Sequence, residues 1–147
     1  MSRRHFSKSD IKQFLQDYPK AEVFIDKKSV VVEENNILRV QEKPRYIHLE
    51  EGFIPHIRAL LEKKDLLSKV TVDMGAVPFI AKGADVMRPG IKRCEEFEKD
   101  DLVVIVDEEH EKPLAIGKAK LNSEELMAEE KGKLIRVLHY VGDDYWE

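Results

Sequence analysis

Asp73-Met74-Gly75-Ala76-Val77-Pro78-Phe79-Ile80-Ala81-Lys82-Gly83-Ala84-Asp85-Val86-Met87-Arg88-Pro89-Gly90-Ile91 is the stretch on which the reading of this chain turns. Glycines at 75, 83 and 90 punctuate it, and glycine lets backbone N–H groups approach a phosphate or a ribose closely. Residues 82–93 carry Lys82, Arg88, Lys92 and Arg93 against Asp85 alone, a net charge of +3. Arg88 precedes Pro89-Gly90, a stiff turn suited to holding a cation against RNA backbone. The alternative that the residues leave open is a helix with ordinary glycine stops and incidental surface bases. The four residues Val70-Thr71-Val72-Asp73 read as a strand. A short helical stretch follows Gly75 and ends at Gly83, and 85–88 is a brief extended piece.

Downstream, 102–106 is a continuous apolar strand and 113–121 another, carrying Gly117. Asn122 or Ser123 caps a short helix with Glu124 and Glu125 in its first turn, and Gly132 ends it. Residues 134–141 form the last strand. Several short strands with two short helices predict a compact barrel-like α+β unit. Upstream, Ser7-Lys8-Ser9-Asp10 offers caps for an amphipathic helix over about 9–18, with Ile11, Phe14, Leu15 and Tyr18 on one face. Runs at 21–25, 29–33 and 37–41 read as strands, and 45–49 as a fourth. Gly52 precedes a second helix with Pro55 in its first turn. The pattern changes at 65–69, so the expected domains are 1–67 and 68–147.

The chain has 147 residues, 42% hydrophobic and 37% charged, enough apolar material for a core under a densely charged surface. Asn and Gln occur three times each and Cys once, a composition that leans towards a heat-adapted source. The lone Cys94 excludes an intrachain disulfide framework or a cysteine zinc cluster and points to a reducing compartment. No apolar run reaches the ~18 residues of a membrane span. The N-terminus has charge without a following apolar stretch, so a secretory signal is not expected and a cytoplasmic location is. Net charge is −4, divided as +2 over residues 1–67 and −6 over 68–147. A chain of that sign does not coat nucleic acid indiscriminately, so any RNA site must be local.

Walker, GxGxxG, GxSxG, HExxH and CxxC motifs are missing. The five histidines have no metal-ligand spacing. His48 and His56 flank Glu50-Glu51 and read as surface histidines beside a helix start. Cys94 follows Arg93, whose charge favours a thiolate, but no base accompanies it. The acidic run 107–111 reads as a solvated loop. No catalytic residue, metal ligand or cofactor is expected.

Val72-Asp73 with Gly75-Ala76, followed by Gly83-Ala84-Asp85-Val86-Met87-Arg88-Pro89-Gly90-Ile91, resembles a PUA domain, the RNA-binding module of pseudouridine synthases and archaeosine transglycosylases. The closing Gly142-Asp143-Asp144-Tyr145-Trp146, with Gly52-Phe53-Ile54-Pro55-His56-Ile57-Arg58-Ala59-Leu60 upstream, is similar to the malignant-T-cell-amplified-sequence and ligatin family of translation factors, in an archaeal-type form. The resemblance implies an α+β chain: a small α/β pre-PUA domain over 1–67, then a PUA pseudo-barrel of short strands with two short helices over 68–147. It implies a non-enzymatic RNA-binding protein of the translation apparatus. The implied partners are RNA (a tRNA acceptor region or rRNA), the small ribosomal subunit in initiation or recycling, and a translation-factor partner protein, with no membrane. The alternative is an accessory RNA-targeting subunit of a tRNA or rRNA modification system. The RNA-binding residues carried over are Gly75, Ala76, Lys82, Gly83, Ala84, Met87, Arg88, Pro89 and Gly90, with Lys92 and Arg93 as outer support. Backbone N–H groups around Gly75 and Gly83 would donate to phosphate or sugar. Lys82 and Arg88 would neutralise phosphates from exposed positions. Tyr140 and Trp146 are candidates for base stacking or for closing a small core.

Overall fold

The computed structural model describes residues 3–147. The chain divides into two compact units, Met1–Ala59 and Leu60–Glu147. No helix among the described residues is long and apolar enough to cross a membrane.

The first unit is an antiparallel meander of β1 (Arg3–His5), β2 (Val31–Glu34), β3 (Ile37–Val40), β4 (Lys43–Leu49) and β5 (Gly52–Pro55), hydrogen-bonded in that order. Helix α1 (Lys8–Asp17) opens with a reciprocal cap formed by two of the capping residues expected at 7–10. Ser7 Oγ accepts the Asp10 N–H at 3.0 Å, and Asp10 Oδ2 accepts the Ser7 N–H at 2.9 Å. Its buried Ile11 and Phe14 pack with Leu38, Val40 and Tyr46 of the sheet.

Three expectations fail here. Residues 21–25 are not a strand; a 3₁₀ turn runs over Pro19–Val23. Ala21 and Ile25 are both buried, yet Val23, which a strand would put on the same face, is exposed, and the Ile25 N–H donates to Ala21 O at 3.0 Å, so the pair meets on one face of a helical turn. Pro19 supplies a preset φ at the first position. Nor does Gly52 lead directly into a helix. Phe53 and Ile54 pair with His48 and Ile47 as an edge strand, and Pro55 ends it, where its missing N–H interrupts no further ladder. Helix α2 (Ile57–Glu62) begins only afterwards. His56, expected at the surface, is buried, and its Nδ1 accepts the Arg58 N–H at 3.0 Å.

The second unit is a mixed six-stranded sheet ordered β7-β11-β10-β9-β6-β8. Its strands are β6 (Ser68–Val72), β7 (Val86–Met87), β8 (Ile91–Cys94), β9 (Leu102–Asp107), β10 (Pro113–Ala119) and β11 (Lys133–Tyr140). Strands β6 and β9 are parallel, and the other pairs are antiparallel. β7 and β8 lie at opposite edges of the sheet, yet only Arg88–Gly90 separates them. The sheet therefore curls until its edges meet. Two short helices, α3 (Val77–Ile80) and α4 (Ser123–Ala128), complete the unit. Ile80 and Leu126 send buried side chains into a core with Val70, Val103, Ile105 and Ile135. α4 carries the expected Asn122 cap, whose Oδ1 accepts the Glu125 N–H at 2.8 Å. Gly132 does not end that helix; it sits in the turn before β11. Strands β1 and β8 were not expected.

Carboxylates tie the turns of this unit. Asp143 Oδ2 accepts from the Tyr140 N–H and bonds His139 Nδ1, and its Oδ1 accepts from the Tyr145 and Trp146 N–H groups. Tyr140 is half-buried and packs against the core. Buried His139 has its pKa pushed down by desolvation, and Asp143 opposes that shift. Asp107 holds the 107–111 run in the same way, accepting from the N–H groups of Glu109, His110 and Lys112. That run is a built turn. Desolvation pushes the Asp107 carboxyl up, and the three N–H groups, with the nearby His110, outweigh it and hold the pKa below the usual carboxylate value.

A carboxyl depressed on folding contributes stability in full above its unfolded pKa, and that contribution is lost as pH falls through the folded value. Asp107→Asn should therefore be less stable than wild type at neutral pH, by about 1–2 kcal/mol. The gap should hold down to about pH 4 and close below it. Thermal melts from pH 7 to 2.5 read this, and a gap that persists at the acid end would remove the carboxylate charge as its source.

Candidate nucleic-acid interface

The loop 73–90 leaves β6, forms α3, and returns through β7 to the closure of the sheet. It encloses an open cleft of about 510 Å³. The lining residues are Asp73, Gly75, Ala76, Phe79, Ile80, Ala84, Asp85, Val86, Met87, Pro89, Gly90 and Lys133. Gly75, Ala76, Ala84, Met87, Pro89 and Gly90 of the sequence-derived set are thus brought together. Lys82, Gly83, Arg88, Lys92 and Arg93 are not among the lining residues.

The reasons differ. Lys82 is exposed on the turn after α3. Gly83 has φ +88°, and its N–H donates to Ile80 O at 2.9 Å, so it is a helix stop and offers no donor to a ligand. Lys92 and Arg93 are exposed on β8. Arg88 is the main correction, since it is half-buried and not exposed. Its Nη1 donates to Ile91 O at 3.0 Å and its Nη2 to Met127 O at 3.2 Å.

The cleft is consequently apolar, and Lys133 is the one cation lining it among the described residues. The two carboxylates of its lining already serve the backbone. Asp73 Oδ1 accepts the Ala76 N–H at 2.9 Å, and Asp85 Oδ1 accepts the Val137 N–H at 3.0 Å. The Met74 N–H is taken by Glu108 Oε2 at 2.8 Å. Gly75 is the open donor that glycine spacing suggested, for its N–H has no acceptor among the described residues.

Sequence reasoning missed Asp73, Phe79, Ile80, Asp85, Val86 and Lys133. Phe79 is the most informative. It is 67% exposed, with Met87 at 46% beside the same cleft. The signal was present: Val77 and Ile80, three apart, face the core, which turns Phe79 outward. Lys133 had no local signal. It reaches the cleft because β11 pairs with β7 in the register Lys133↔Met87.

Cys94 is half-buried, and burial raises its thiol pKa against the opposing charge of Arg88, not of Arg93. Among the described residues no three His, Cys, Asp or Glu side chains gather as a metal site.

The match to a PUA domain covers residues 68–141. An uncharacterized protein of Methanocaldococcus jannaschii is 35% identical over 98% of this chain and 95% of its own. Translation machinery-associated protein 20 of Saccharomyces cerevisiae is 27% identical over 91% of this chain and 83% of its own. The malignant T-cell-amplified sequence 1 homolog of Drosophila melanogaster is 28% identical over 92% and 82%. The crystal structure of a hypothetical protein from the archaeon Pyrococcus horikoshii superposes with a TM-score of 0.83, at 32% identity over 99% of this chain and 98% of the other.

Gly83 and Gly75 should respond differently to alanine. At Gly83 a Cβ would lie 2.7 Å from Tyr140 Cε1 on a left-handed backbone. Gly83→Ala should cost about 2–4 kcal/mol. At Gly75 the nearest atom is Asp73 Oδ1 at 3.4 Å, an ordinary contact. Gly75→Ala should stay within about 1 kcal/mol. Denaturant titrations compare them, and equal losses would mean that Gly83 has no special geometric role.

Proposed function

Since the chain belongs to the PUA domain family, in the group of the malignant T-cell-amplified sequence proteins, we propose that its cleft binds an unpaired RNA segment for the translation apparatus. The observation that carries the reading is Phe79, a large aromatic side chain left mostly exposed at the mouth of an apolar cleft. Every nucleobase has a π-face that such a ring accepts, and stacking is worth about 1–3 kcal/mol per base. Base-paired RNA hides those faces, so a cleft of this kind selects loops and single-stranded ends. The Gly75 N–H supplies a backbone donor. Lys133 supplies a phosphate contact at the cleft, and exposed Lys82 a second on the adjoining turn. The RNA in this reading is a tRNA acceptor end or an rRNA strand.

The name of the yeast relative supports a place in the translation machinery, and the proposal extends this to the small ribosomal subunit, in initiation or recycling, and hence to the cytoplasm. Residues 68–147 are assigned the RNA, and residues 1–67 docking on the subunit or on a partner protein. The basic surface of the leading segment is smaller than charge counting suggests. Arg3 pairs with Glu34 at 3.2 Å and Arg4 with Asp10 at 2.9 Å. Lys8 and Lys12 stay exposed on α1.

The test is fluorescence anisotropy with an RNA minihelix bearing a single-stranded 3′ end, across a salt series. Phe79→Ala should weaken binding by about tenfold with an unchanged salt slope, because stacking releases no counterions. Lys133→Gln should weaken it less and reduce the slope by about 0.7. Wild-type affinity in Phe79→Ala would refute the cleft.

The division of labour makes a separate prediction. The fragment 68–147 should keep most minihelix affinity and lose most affinity for purified small subunits. Parallel loss of both, or retention of both, would count against it.

A further inference from the structure

Arg88 does not line the cleft, yet it touches what frames it. Its guanidinium bridges two carbonyl oxygens from distant parts of the chain. Ile91 O, at 3.0 Å, lies just beyond the closure, and Met127 O, at 3.2 Å, lies in the last turn of α4. A cation is favourable at that end of a helix. Nε is buried and has no acceptor among the described residues. The Arg88 N–H donates to Gly132 O at 2.9 Å, and Gly90 O accepts the Asp73 N–H at 2.9 Å. The residues between these anchors, Pro89 and Gly90, form one wall of the cleft. A planar fork can hold two acceptors at a fixed separation, whereas an ammonium is a point donor.

We propose that Arg88 is a positioning residue: it locks the three-residue closure of the sheet and so fixes the Pro89-Gly90 wall for RNA, without contacting RNA itself. The proposal rests on the reading of the cleft as an RNA site. Its sign is opposite to the ordinary expectation for an arginine in a basic RNA-binding stretch. A phosphate-binding arginine changes the salt dependence of affinity and leaves the free protein alone. A locking arginine changes the free protein and leaves the salt dependence alone.

The experiment uses the full chain and Arg88→Lys, with two readouts. The first is amide hydrogen exchange by NMR, without RNA, at Asp73 and Ile91, whose N–H groups bond Gly90 O and Arg88 O. The second is affinity for the minihelix with a single-stranded 3′ end, across salt. The proposal expects exchange at least tenfold faster at both amides, affinity lower by about tenfold, and a wild-type salt slope. A slope reduced by about 0.7 with wild-type exchange would make Arg88 a phosphate ligand and overturn it. Unchanged exchange with unchanged affinity overturns it, as does faster exchange with unchanged affinity. If Arg88→Lys fails to fold, Arg88→Met, which keeps an unbranched apolar stem and removes the fork, carries the same expectations. Wild-type protein without affinity for the minihelix overturns the cleft reading and this proposal with it, and that failure is recognised without any variant.

Discussion

Three residues join strands at opposite edges of a six-stranded sheet, and the architecture of the second unit follows from that constraint. Arg88, Pro89 and Gly90 can span no more than ~10 Å. Strands β7 and β8 belong to the two ends of the order β7-β11-β10-β9-β6-β8, so a flat sheet would tear the chain. The sheet must curl. The register breaks of β10 at Ile116/Gly117 and Pro113/Ala115 accommodate the bend, as bulges do. At Gly117 there is no room for a side chain: a Cβ would meet Ile135 Cγ2 at 2.6 Å. Closure brings the loop 73–87 over the join, and the cleft is the space beneath it.

The same constraint explains why charge counting misjudged the site. A tight closure carries many backbone polar groups in little space, and each needs a partner. Asp73, Asp85 and Arg88 supply them from within the loop, and Glu108 from outside it. Charges that bind backbone inside the fold are not available to a ligand. The segment 82–93 is net +3 in sequence, yet none of its four cations lines the cleft. The acidic residues behave alike: Asp107 and Asp143 each organise a turn by accepting several N–H donors.

What could be read from the sequence was local or strongly patterned. The Ser7–Asp10 cap, the Asn122 cap and the apolar run of β9 each declare themselves within a few residues, and all three stand in the structure. Six of the residues proposed from the glycine-punctuated loop meet in the cleft. Errors arose where tertiary pairing decides. Residues 21–25 have strand-like composition, but Pro19 starts a helical turn that buries Ala21 and Ile25 and leaves Val23 exposed. β8 contains Lys92 and Arg93, and its sequence does not alternate as a buried strand should. Lys133 enters the site through strand register alone, which no motif records. Arg88 stands out in the sequence, but the direction of its side chain cannot be read there, because its acceptor on α4 lies 39 residues away.

An apolar cleft in an acidic half-molecule also bears on how RNA would be discriminated. Counterion release attracts any RNA alike and weakens as salt rises. With residues 68–147 at net −6, that general attraction is small, and duplex RNA offers little else to a pocket walled by Phe79, Met87 and Ile80. An unpaired base gains from stacking and from removing apolar surface from water, terms that salt does not screen. On the proposed reading, the scarcity of cations, which looks like a weakness in an RNA-binding protein, would be the source of selectivity. It would suppress the nonspecific background more than the stacking contact. Such a site depends on shape, since stacking tolerates little displacement between ring and base. A wall held by backbone hydrogen bonds on both sides of a three-residue closure would meet that requirement, with the inward-turned Arg88 as the proposed lock.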